Sequence, residues 1–163
     1  MHKITFASSL LAAALLSSAA FAQAQTQAPS PAAQPTATMK NVSKQKFLVH
    51  IHTGPDNPSK AALGFLVAAT ALREGHSVNL FLAGDGASLI GDAALSGLEG
   101  LGTGKLSAHY KVLADGGARF YVSGMSAKAR GLGDADIAGK PAEFAMPDVL
   151  VRLAAEADVV LTY

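Results

Sequence analysis

The chain has 163 residues, 13 Lys and Arg against 12 Asp and Glu for a formal charge of +1, and no cysteine at all. A balance so close to neutral gives no electrostatic footprint for nucleic acid or for an anionic membrane surface. The missing thiol excludes disulfides, thiolate metal sites, thiol catalysis and a lipidated cysteine, so stability has to come from packing alone.

In chain order, residues 1–22 read as a signal peptide: Lys3 gives a positive start, Ile4 to Leu16 is largely apolar, and Ala20-Phe21-Ala22 has the small-x-small form of a cleavage site. Cleavage is expected after Ala22, with Ala24 as the alternative. The stretch is short for a bilayer span and is interrupted by Ser8, Ser9, Ser17 and Ser18. Periplasmic or secreted location follows, with no membrane association once the leader is gone. Residues 23–45 carry Pro29, Pro31 and Pro35 among Ala, Gln and Thr without any period, the composition of a disordered linker. Residues 46–163 then form one domain of ordinary size.

Lys46 to His52, KFLVHIH, is a strand by its β-formers, and Thr53 to Asn57 is a turn. Asn57 as N-cap and Pro58 at the first helical position open a helix that runs to about Glu74 and is apolar nearly all round. A helix of that kind is covered on both sides, by the sheet and by something else, a second subunit being one option. Ser77 to Ala83 is the second strand, closed by Gly84-Asp85-Gly86. Residues 87–104 are rich in Gly and Ala, and only a short helix near Asp92 to Leu98 is expected there. A helix from Lys105 to Leu113 ends at Asp115-Gly116-Gly117. Ala118 to Ser123 is the third strand, Ser126 to about Leu132 a short helix, residues 142–145 a short strand, a helix starting at Pro147 or Asp148 runs to Glu156, and Asp158 to Tyr163 is the terminal strand.

Helices alternating with strands too apolar to own a wet face predict an α/β, flavodoxin-like, doubly wound and mostly parallel sheet of four or five strands in a single domain. Ligands of such folds bind beyond the carboxyl ends of the strands. The expected crevice is therefore built from His52, Gly54, Asn57, Gly84, Asp85, Ser123, Gly124, Met125, Ser126 and Arg130. Backbone N–H groups at the helix starts there favour a small anion or polar ligand. Arg130 serves either as the anion partner, through its planar fork, or as an ion-pair partner of a neighbouring subunit's carboxylate.

Three sharper readings compete with plainer ones. His50 and His52 leave the same face of one strand and could begin a metal site, to which Asp56 and Asp85 could add; more simply, His50 packs under a helix and is hydrogen-bonded. Ser123 and Ser126 are candidate nucleophiles on a strand-to-helix turn, with His109 or His52 as base, against the simpler role of helix capping. Gly84-Asp85-Gly86 could hold a phosphate or ribose, against a plain turn. Phe120, Tyr121, Met125 and Met146 read as core or subunit-contact residues. No cofactor is expected.

Three pieces carry a family likeness across the whole folded part: HIHTGPDNPSKAALGFLVAATALREGHSVNLFLAGDG, FYVSGMSAKARGL and ADVVLTY. In order and spacing they resemble the DsrE/DsrF-like family of sulfur-relay proteins. The resemblance implies a flavodoxin-like subunit that assembles into trimers or hexamers. It also implies a persulfide-accepting cysteine at the end of the strand before the Arg-Gly helix. Ser123 stands at that position, followed by Gly124 and later by Arg130-Gly131. A hydroxyl has no sulfur to extend, so a non-catalytic binding or accessory module is the expected role. A serine hydrolase and a structural subunit of a sulfur-relay hetero-oligomer are the alternatives.

Overall fold

The computed structural model describes residues 43–163; the expected signal peptide and all but the end of the expected linker lie outside the described residues. The strands are β1 (Lys46–Ile51), β2 (Ser77–Leu82), β3 (Glu99–Gly100), β4 (Gly104–Lys105), β5 (Arg119–Ser123), β6 (Ala142–Ala145) and β7 (Val159–Thr162). The helices are α1 (Pro58–Arg73), α2 (Asp92–Gly97), α3 (Leu106–Asp115), α4 (Gly124–Ala129), α5 (Asp134–Ile137) and α6 (Pro147–Glu156), with a 3₁₀ segment over Gly84–Ile90. The main sheet has five strands in the order β6-β5-β2-β1-β7, and every pairing is parallel. This is the α/β single-domain, flavodoxin-like architecture expected from the sequence.

The order of the strands decides where the helices go. From β1 to β2, β5 and β6 the chain moves steadily one way across the sheet, so right-handed crossovers put α1, α3, α4 and α5 on one face. Only the return from β6 to β7 puts a helix, α6, on the other. The first face is a closed core in which Val49, Ile51, Leu80, Leu82, Phe120 and Val122 pack against Phe65, Leu106 and Leu113, all essentially fully buried. The second face buries just Leu48, Phe81 and Ala145 against Leu153 of α6. Helices do lie on both faces, but very unequally.

Asn57 caps α1 as its sequence predicts, accepting from the Lys60 amide at 3.2 Å, with Pro58 in the first turn. The apolar girth of α1 has its explanation inside the chain. The sheet covers one side, while α3 and the β3–β4 hairpin cover others, leaving Leu63 36% exposed. Leu66 and Val67 beside it stay only half-buried. That hairpin was not expected. The Leu101 amide donates to Ser59 Oγ at 2.9 Å, and His109 Nε2 meets the Thr103 carbonyl at 2.7 Å. Ser59 is distant in sequence, so the Gly-rich segment carries no local signal for that contact. The short helix after β5 begins two residues earlier than expected, at Gly124, with Ser123 as its N-cap.

Candidate functional site

The loops after β1, β2 and β5 meet at the carboxyl end of the sheet, as the fold requires. The first two are pressed together. Gly86 N–H donates to the His52 carbonyl at 3.1 Å, and a Cβ at Gly54 would stand 2.6 Å from the Asp85 Cβ. At Gly86 a Cβ would collide with the Ile51 carbonyl oxygen. Glycine at both positions is what allows two backbones to touch here.

Ser123 and Ser126 close the third side. The Gly84 N–H donates to Ser126 Oγ at 2.9 Å, and Ser126 donates its own proton to Ser123 Oγ at 3.1 Å. Ser123 Oγ also receives the Ser126 amide at 3.4 Å as the α4 cap. The pair thus links the loop after β2 to the end of β5 through a relay of donors ending on Ser123. An activated nucleophile needs a base that takes its proton. Among the described residues no histidine is hydrogen-bonded to either hydroxyl, and His109 is held at Thr103. The capping role is the one the geometry supports.

Arg130 forms an ion pair with Asp85 and donates to the Ser126 carbonyl at 3.1 Å, so its partner is a carboxylate of its own chain. With Asp85 held in this way, Gly84-Asp85-Gly86 works as a clasp point between loops. Gly124 lies beside Met146, whose Sδ would be 3.7 Å from a Cβ there. Met125 and Met146 are 58% and 52% exposed, which removes both from the core.

His50 and His52 do share a face, with ring centroids 5.7 Å apart, and His50 stands edge-on to Phe81 at 5.8 Å. Among the described residues there is no group of three or more His, Cys, Asp or Glu placed to hold a metal. The expected hydrogen bond to His50 is also missing: its Nε2 is buried without a partner. Burial first, and the neighbouring His52 second, lower its pKa from the usual histidine value. His50 therefore belongs to the neutral apolar packing of the second face.

The open space lies elsewhere. A cleft of about 980 Å³ sits on the first face, between the start of α1, the α2 segment and α5. Of the loops expected to form the crevice, His52 to Asn57, Gly84 to Ala87 and Ser123 to Ser126, only the first reaches it, through Pro55. Sequence reasoning missed it because its walls are marked by what is small, Gly91, Ala93, Ala94 and Gly97, rather than by a motif.

Three comparisons bear on this arrangement. The profile of the DsrE/DsrF-like family matches residues 45–163. No curated protein matches the chain. Among solved structures, the crystal structure of the YchN protein from E. coli superposes with a TM-score of 0.59 at 20% identity, covering 73% of this chain and 99% of that one. At such identity the likeness establishes the fold.

Proposed function

The chain belongs to the DsrE/DsrF-like family, and from that premise we propose that it is an exported, oligomeric binding or accessory module whose sulfur-relay chemistry has been lost. One observation carries the reading: a serine stands at the end of β5, and its hydroxyl is spent as a cap and as the acceptor of Ser126. With no cysteine in the chain there is no thiolate to attack a persulfide and no sulfur to carry one. Export rests on the leader-like residues 1–22. Assembly is supported by the thinly covered second face, where Met146, Val151 and Val160 are 52%, 68% and 48% exposed.

Two measurements test this. Incubation of the purified chain with glutathione persulfide, followed by cyanolysis, is expected to leave no sulfane sulfur on the protein; stoichiometric sulfane would sink the reading. Light scattering of the chain beginning at Gln23 is expected to give a trimer or hexamer, and a monomer at micromolar concentration would remove the oligomeric part.

A further inference from the structure

The cleft on the first face has the size of a ligand site and a one-sided electrostatic character. Its volume of about 980 Å³ is at the upper end of the range in which drug-sized molecules bind. Pro55, Pro58, Leu98, Leu132 and Ala135 give apolar walls. The charged residues that line it are Asp92, Glu99 and Asp136, all carboxylates, with no Lys, Arg or His among them. Lys140 lies behind this wall with its side chain only 10% exposed, and its ammonium binds Asp92 at 2.8 Å and the Asp136 carbonyl. Lys105 stands opposite Glu99 across the β3–β4 hairpin, so two ammoniums neighbour three carboxylates, and every charged side chain on the lining itself is negative.

Helix N-termini near a cleft usually draw anions. Here the start of α1 is capped from within, the N-cap amide of α5 is taken by a carboxylate, and α2, which has no side-chain cap, opens on a carboxylate. The start of α1 has Pro58, which lacks an N–H, and a Lys60 amide taken by Asn57. The first turn of α2 carries Asp92, and at α5 the Asp136 carboxylate accepts the Gly133 N–H at 2.8 Å. The field of Asp92 also reaches inward: burial first, then this carboxylate, raises the pKa of Tyr110. An anionic ligand would meet these carboxylates and be repelled.

We propose that this cleft binds a small amphipathic cation, an apolar body bearing one amine or guanidine group. The body replaces water against the Pro, Leu and Ala walls, and the cation meets the carboxylates of Glu99, Asp92 and Asp136. The site is independent of the serine turn and of sulfur chemistry, so it stands or falls apart from the proposed loss of relay.

The test is an NMR titration of the ¹⁵N-labelled chain with 4-phenylbutylamine, using 4-phenylbutyrate and 4-phenylbutanol as comparators of matched shape. The amine is expected to give saturable shifts at the amides of Ala94, Leu98, Leu132 and Ala135, the alcohol weaker ones there and the carboxylate none. Ala135→Trp, on an exposed position of the wall, should abolish these shifts while keeping a dispersed spectrum. Ala93→Trp provides the same block from the α2 side should the first variant unfold. Glu99→Gln should weaken the amine roughly two- to five-fold, the scale of one exposed charge. Equal binding of all three probes, shifts that map outside the cleft, no saturable shift with the amine, or wild-type binding by a folded tryptophan variant would overturn the proposal.

Discussion

Two regions at the carboxyl end of the sheet differ sharply. The serine turn is where the family likeness concentrates its chemistry, and in this chain it is a closed clasp. The Gly84 amide, Ser126, Ser123, Asp85 and Arg130 satisfy one another. The cleft beside α2 carries no motif and is open. The difference teaches that the residues carrying a family likeness and the open volume of a chain can lie in separate places.

The largest effect expected from this contrast comes from adding bulk. Gly86→Val drives a side chain into the Ile51 carbonyl and should cost more than about 3 kcal/mol in urea denaturation, or prevent folding. The control is Gly97→Ala on the cleft wall, where a Cβ meets nothing within 4 Å. It should be neutral or stabilising by up to about 1 kcal/mol. Equal damage at both positions would break the distinction between closed and open regions.

Removing a hydroxyl from the clasp comes next. Ser126→Ala strips the Gly84 N–H of its acceptor, and the expected loss is about 1–3 kcal/mol. Arg130→Ala should cost less, at most about 1 kcal/mol, because the Asp85 side chain it pairs with is 69% exposed and water screens the pair.

The smallest effect concerns His50. Its folded-state pKa lies below the unfolded value near 6.5, so the unfolded chain takes up the proton more readily. This contribution to stability is whole above that pH and declines as the pH falls through the lowered folded value. His50→Phe should flatten the part of the stability profile below about pH 6.5, measured by melting temperature. An unchanged profile would mean that His50 does not titrate with folding.

Much of the fold was legible because its signals are local. The runs KFLVHI and SVNLFL mark buried parallel strands, and Asn57-Pro58 marks a helix start. Ser123 and Gly124 could be placed at a strand-to-helix turn for the same reason. What was hidden depends on partners far apart in the chain. Arg130 and Asp85 are 45 residues apart, and Ser126 and Gly84 are 42 apart, so no spacing rule pairs them. The hairpin over Glu99–Lys105 is tied to Ser59, 42 residues from Leu101. The cleft is a void between elements, which a one-dimensional pattern of small residues does not reveal. Even where the elements were right, their distribution over the two faces emerged only from the strand order.

The claim that the two serines form a structural clasp is tested most directly by a double-mutant cycle of Ser123→Ala and Ser126→Ala in equilibrium urea unfolding. The account predicts a coupling between the two positions of about 0.5–1.5 kcal/mol, the worth of the hydrogen bond they share. Strictly additive losses, with each hydroxyl acting independently of the other, would contradict it.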